Sequence, residues 1–252
     1  MKVLDLFSGI GGFSLGLERA GFETIAFCEI EPYCQKVLKK HWPDIPIYED
    51  VRNVTRERLE ADGIFPDVIT GGFPCQDISN SGYKTGVNGS RTGLYTEIVR
   101  LASELRPRYI FLENVAALLH RGMGDVIGSL ARIGYDAEWQ VIPAWAVGGF
   151  HKRDRVWIIA YPEGRRPEPI LQKSKILREK IEQCTRLAGR RRNIYSPDAK
   201  RYLWEDNTGI CRVADDVPAR VDRIRSLGNA VVPQIPEIIG RAIMEAENEN
   251  NN

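Results

Sequence analysis

The sequence predicts an α/β fold: a doubly wound, mostly parallel, Rossmann-like sheet with a small inserted region. Three observations predict it. Short apolar runs alternate with helical patterns over the first two thirds of the chain; a glycine-rich turn follows the first run; and the alternation stops near residue 162, to resume only as an apolar helical pattern near the end. Strands are expected at Val3 to Phe7, Thr24 to Glu29, Ile45 to Glu49, Asp67 to Thr70 and Tyr109 to Glu113. Helical spacing lies between them at Phe13 to Ala20, Pro32 to Lys40, Thr55 to Glu60, Leu94 to Leu105 and Gly124 to Ile133, the second with proline in its first turn. Ala137 to Ile142 and Arg155 to Tyr161 are close enough in sequence to pair antiparallel.

Residues 1–161 and 218–247 are therefore expected to form the main domain and 162–217 a small insert. Val231 to Glu247 reads as the closing apolar helix, and the polar Glu245 to Asn252 as a frayed end, with 248–252 disordered. Within the insert, Gln172 to Leu187 reads as a charged amphipathic helix.

The 252 residues suffice for a core that needs neither disulfides nor metal. Five cysteines, with no paired C-x-x-C spacing, and three scattered histidines predict a reduced, cytoplasmic protein without a metal site. No apolar run approaches a membrane span, and Met1 leads straight into a strand, so neither membrane nor secretion is expected. The charge totals, 35 basic against 34 acidic residues, favour no partner, but twelve Lys or Arg against five Asp or Glu lie between Tyr161 and Leu203. That stretch includes Arg190, Arg191 and Arg192, with Tyr195, Tyr202 and Trp204 close by; it suits either a phosphate backbone or an ordinary solvated helix face.

Two motifs point to chemistry. Asp5-Leu-Phe-Ser-Gly9-Ile-Gly11-Gly12 follows the first strand and opens the first helix, where closely spaced glycines let a ligand approach the backbone. Ser14 stands where a dinucleotide fingerprint needs its third glycine, so the turn alone is a weak signal. Glu29 at the end of the second strand is placed to accept from ribose hydroxyls, and Asp50 at the end of the third to receive an adenine amino group; together they suggest an adenosine-containing ligand or a coincidence of surface carboxylates. The second motif, Gly71-Gly72-Phe73-Pro74-Cys75-Gln76 after the fourth strand, sets a cysteine on a stiff turn at the sheet's functional edge. Cys75 reads as a nucleophile; alone it would also pass for a small buried filler.

Taken in order, these motifs, with Glu29, Asp50-Val51, Ser90-Arg-Thr-Gly93, Glu113-Asn-Val115, Arg153-Asp-Arg155 and Gly228-Asn-Ala-Val231, resemble the DNA (cytosine-5)-methyltransferases of prokaryotic and phage restriction-modification type. The resemblance covers roughly residues 1 to 161 and 217 to 243 and leaves the basic insert, about 55 residues, as the target-recognition region. It implies S-adenosyl-L-methionine as cofactor, released as S-adenosyl-L-homocysteine, with no metal. Duplex DNA is the implied partner of a monomer in a bacterial, archaeal or phage-infected cytoplasm, with room for a restriction endonuclease encoded nearby.

The resemblance also implies residue roles. Cys75 would add to carbon 6 of a flipped cytosine so that carbon 5 accepts the methyl group, and Glu113 would bond the N3 edge and exocyclic amine. Arg153 and Arg155 would stand near the base carbonyl and the phosphate. The cofactor would be held by Asp5, Phe7, Ser8, Gly9, Gly11, Gly12, Glu29, Ile30, Asp50, Val51, Pro74, Asn229 and Val231. DNA would be met by Gln76, Ser79, Arg91 and Arg190 to Arg192, with Asp77 to Gly93 as a mobile loop closing over the base. His151 stands where the family commonly has glutamine. A tRNA cytosine methyltransferase, from another branch of the family, and a DNA-binding regulator without turnover are the competing readings.

Overall fold

The computed structural model describes residues 1–74, 93–149, 153–164, 170–173, 179, 182 and 220–250. Seven strands form one sheet in the order β3-β2-β1-β4-β5-β7-β6. They are β1 (Lys2–Leu6), β2 (Glu23–Cys28), β3 (Ile47–Tyr48), β4 (Val68–Gly71), β5 (Tyr109–Val115), β6 (Tyr135–Pro143) and β7 (Asp154–Pro162). The first five run parallel, and β7 inserts antiparallel between β5 and β6. This is the expected doubly wound sheet, with the late pair antiparallel as its short connection required.

Most boundaries fall within a residue or two of expectation. The third strand shrinks to Ile47–Tyr48 because Pro46 has no N–H to give the ladder; its carbonyl still accepts from Phe27 N–H at 2.9 Å.

The helices are α1 (Gly12–Arg19), α2 (Pro32–His41), α3 (Arg56–Ala61), α4 (Leu94–Leu105), α5 (Leu118–Arg121), α6 (Met123–Arg132), α7 (Ile170–Lys173), α8 (Arg220–Asn229) and α9 (Gln234–Asn250). Local chemistry sets their ends. Pro32 opens α2, and Thr55 caps α3 by accepting from Arg58 N–H. Arg106 closes α4 in the left-handed conformation before Pro107.

Two apolar layers sandwich the sheet. On one face Leu4, Leu6, Ile69, Ile110 and Leu112 pack with α3, α4 and α6. On the other Val3, Val68, Phe111 and Trp157 pack with Phe13 and Leu17 of α1 and with Ile235, Ile238, Ile239 and Ile243 of α9. Helices α1 and α9 meet at glycines: a Cβ on Gly240 would stand 2.8 Å from Ala20 Cβ. A larger residue would force the helices apart.

Two expectations change and one element is new. The polar end is helical through Asn250, where fraying was expected, because Glu247 turns inward; it accepts from Tyr109 O–H at 2.6 Å and pairs with Arg108 at the start of β5. The closing helix begins at Gln234 instead of Val231, since Val231 packs against Gly12 at the start of α1. Residues 220–229, where no element was expected, form α8, whose end carries Gly228 and Asn229 of the last motif. At 170–173, Ile170 and Leu171 bury in the α9 layer, and both carboxylate oxygens of Glu138 on β6 accept their N–H groups at 2.8 and 3.0 Å. No helix among the described residues is long and apolar enough to cross a membrane.

Candidate active site

Strand order reverses between β1 and β4, so the carboxyl ends of these neighbours open the crevice where doubly wound sheets bind ligands. A cavity of about 540 Å³ lies there, within the size range of small-molecule sites. Its wall contains Phe7, Ser8 and Gly9 from the β1 turn, Glu29 and Ile30 after β2, Asp50 and Val51 after β3, Gly72 and Pro74 after β4, Glu113 from β5, and Asn229, Ala230 and Val231 after α8. Five separate strand ends thus converge on it.

The first turn is held in a costly shape. Phe7 has φ 54°, a left-handed conformation that a bulky side chain rarely adopts and that costs about 1–3 kcal/mol. Glu29 compensates by accepting Gly9 N–H on one oxygen at 2.6 Å and Glu31 N–H on the other at 2.8 Å. It therefore ties the β1 turn to the start of α2. Asp50 caps a 3-10 turn at Val51–Asn53 and pairs with Arg52, whose hydrogen bonds hold its carboxyl below the usual range.

Three residues of the motif stand behind this wall. Asp5 is fully buried, accepting Ser14 O–H at 2.8 Å and Thr70 O–H at 2.6 Å; it shapes the turn from beneath. At Gly11 and Gly12 the close approach is made by protein. A Cβ on Gly11 would meet the Trp42 ring at 2.6 Å, and one on Gly12 would meet the Val231 carbonyl at 2.5 Å. The glycines that the sequence offered to a ligand instead seat α2 and the segment before α9.

Burial pushes the Asp5 carboxyl up to about 6. A raised folded-state value gives stability that is full below the unfolded value and lost as pH rises through about 6. Asp5→Asn removes that dependence. Its unfolding free energy relative to the native chain is expected to rise by on the order of 3 kcal/mol between pH 4 and 7, checked by denaturant titration at both pH values.

The other half of the crevice carries charge chemistry. Glu113 on β5 lies opposite Trp157 on β7, so Arg155, two residues before Trp157, is its diagonal neighbour on the same face; Arg155 Nε stands 2.8 Å from Glu113 Oε1. Burial raises the Glu113 pKa, although Arg155 and Arg153 pull it down. Next to it, Asn114 donates from Nδ2 to the Phe73 carbonyl at 3.0 Å, and the Phe73 ring packs on Tyr95 with centroids 4.8 Å apart. The turn leading to Cys75 is thereby anchored one residue past Glu113. Cys75 itself, Gln76, Ser79, Arg91, His151 and Arg190 to Arg192 lie outside the described residues, as does most of the expected helix Gln172 to Leu187.

Arg153 takes a different course from Arg155. Its backbone is left-handed, φ 31°, and its guanidinium donates to the carbonyls of Ala230 at 2.7 Å and Leu227 at 3.4 Å. Burial and the nearby Arg155 lower its pKa.

The sequence reading missed the contribution of α8 and the start of α2. Asp222, Arg225 and Ser226 join Glu31, Tyr33 and Cys34 in the wall; Arg225 pairs with Glu31 at 3.3 Å, and Ser226 Oγ lies 3.5 Å from Cys34 Sγ. No motif marks these residues, and they meet only through the fold. The one available signal was that α8 runs directly into Gly228-Asn-Ala-Val231. Among the described residues no group of three or more His, Cys, Asp or Glu is arranged to hold a metal ion.

Comparison with known proteins places this geometry. The profile of the family described as C-5 cytosine-specific DNA methylase matches residues 1–208. Type II methyltransferase M.CviJI of Paramecium bursaria Chlorella virus IL3A is 32% identical over 234 residues, covering 92% of this chain and 56% of that protein. Type II methyltransferase M.NgoMIV of Neisseria gonorrhoeae is 28% identical over 312 residues, 98% of each. The crystal structure of a DNA modification methyltransferase encoded within an E. coli prophage superimposes with TM-score 0.56 at 28% identity, covering 64% of this chain and 47% of that one. The chain spans about half the length of several of the relatives it matches. With a matching profile over most of its length, the chain belongs to the C-5 cytosine-specific DNA methylases.

Proposed function

We propose that this chain transfers a methyl group from S-adenosyl-L-methionine to carbon 5 of a flipped cytosine in a specific duplex DNA sequence, through a covalent bond from Cys75 to carbon 6. The observation that carries it is a single crevice joining an acid-rich cavity to the Phe73-Pro74 turn before Cys75 and to the Glu113–Arg155 pair.

The cavity wall suits the cofactor. It contains six carboxylate residues, Glu29, Glu31, Glu49, Asp50, Glu113 and Asp222, against Arg52 and Arg225. Such a wall favours a sulfonium with an ammonium group over the pyrophosphate of a dinucleotide. Glu29 and Asp50 would hold the ribose and adenine, with Phe7, Ile30 and Val51 beside the rings. When bound, the cofactor supplies an electrophilic methyl group.

The chain's own residues prepare the base. The Cys75 thiolate bonds carbon 6, and the displaced electron pair moves to carbon 5. Glu113, its pKa raised by burial, protonates N3 and accepts from the exocyclic amine, so the ring takes up negative charge more easily. Arg155 orients Glu113 and faces the ring carbonyl. Carbon 5 takes the methyl group; a water molecule then takes the carbon-5 proton, the electron pair left behind restores the 5,6 double bond and expels the thiolate, and the N3 proton returns to Glu113. The ring must leave the DNA stack to reach these groups, and the basic insert is the region that would grip and read the duplex.

The test is base-resolution 5-methylcytosine sequencing of DNA from a methylation-free bacterial host expressing the full chain, beside purified protein offered labelled cofactor with duplex DNA or tRNA. Methylation in one short sequence context is expected. Labelling of tRNA alone would replace the substrate, and no transfer to either by folded protein would leave the inactive regulator.

A further inference from the structure

We propose that Arg153 is a positioning residue for the cofactor: it fastens the segment Leu227–Val231, which closes the cavity, to the start of the strand that carries Arg155. The inference rests on reading the cavity as the S-adenosyl-L-methionine site.

Three observations support it. The Arg153 guanidinium bonds the carbonyl of Leu227, in the last turn of α8, and that of Ala230 just beyond it. Carbonyls at a helix C-terminus have no partner within the helix, and a cation placed there satisfies them and the helix dipole together. Next, Ala230 and its neighbours Asn229 and Val231 line the cavity, while the backbone of Val231 rests on Gly12 with no space for a methyl group between them. The segment is therefore clamped between the first turn of α1 on one side and Arg153 on the other. Finally, Arg153 holds a left-handed backbone, which costs a non-glycine residue free energy, while its side chain makes both carbonyl bonds.

Arg155, two residues on, turns instead to Glu113. Two arginines at one strand start thus serve two sites. Arg153 works on the cofactor wall through Leu227–Val231, Arg155 on the base through Glu113.

Calorimetric titration of the full chain with S-adenosyl-L-homocysteine, without DNA, tests this. Arg153→Met is expected to weaken binding by about tenfold, and Arg153→Lys by less, since an ammonium group reaches one carbonyl more readily than two. Arg155→Lys is expected to leave this affinity within about twofold while lowering kcat. Amide hydrogen exchange over residues 226–232 is expected to speed up in Arg153→Met before any ligand is added. Unchanged affinity and exchange in a folded Arg153 variant, with loss confined to kcat or to DNA affinity, would overturn the proposal and leave Arg153 a base or phosphate contact. If Arg153→Met does not fold, Arg153→Lys decides by the same two readouts. A native chain that does not bind S-adenosyl-L-homocysteine would overturn the cofactor reading and this proposal together; a native chain that binds it, with variants that bind equally well, overturns this proposal alone.

Discussion

Cys75→Ala is expected to abolish methylation, lowering transfer by at least about 10⁴-fold, the scale on which removing a covalent nucleophile acts. The reason is electronic. Without an added nucleophile at carbon 6, carbon 5 of cytosine is too electron-poor to take a methyl group, and no other cysteine follows the turn that Asn114 and Tyr95 anchor. Cys75→Ser should fail almost as completely, because a hydroxyl is far less ionised than a thiol near neutral pH. Binding should survive both changes, since the alcohol or methyl group fills no more space than the thiol. The measurement is 5-methylcytosine sequencing of host DNA beside gel-shift titration of the purified variant. Methylation within a hundredfold of the native chain would remove Cys75 from the mechanism.

Glu113→Gln is expected to lower kcat by about 10²–10⁴-fold, the contribution of a positioned acid, with smaller changes in affinity for cofactor and DNA. Glutamine keeps the shape and one acceptor beside Arg155 but cannot hand a proton to N3. The pH profile separates this from a packing defect. Burial raises the Glu113 pKa and outweighs Arg155 and Arg153, so the protonated acid persists above the ordinary glutamate range. Activity that needs this proton falls as pH rises through the raised value, and the limb should vanish in Glu113→Gln. Stability has the same sign: the contribution of a raised folded-state pKa is complete below the unfolded value and lost as pH rises through the folded one. A Glu113→Gln variant that keeps the native kcat and pH profile would exclude the acid role.

Much of the sheet could be read from periodicity because its strands are buried on both faces and separated by amphipathic helices with strong end signals such as Pro32, Thr55 and Pro107. Where reading failed, a long-range contact had overruled local composition. Glu245 to Asn252 looks like a frayed end, yet Glu247 bonds Arg108 and Tyr109 more than a hundred residues away. No element was read at Arg220–Asn229, which is polar in composition, but as a helix it gains Glu31 and Cys34 as partners.

Residue order alone was enough for the class of fold, the sequence of motifs and the kinds of group the chemistry needs, since each depends on local pattern or on residue type. Why each residue is wanted required the folded chain. Gly11 and Gly12 look like ligand-approach glycines but make room for Trp42 and Val231; Asp5 looks like a ligand contact but is a buried brace; and Arg153 and Arg155 look like one basic pair but bond different partners, the Leu227 and Ala230 carbonyls and Glu113. Direction and company are properties of the tertiary structure, because they are set by which surfaces pack together, and no local pattern encodes the far side of a contact.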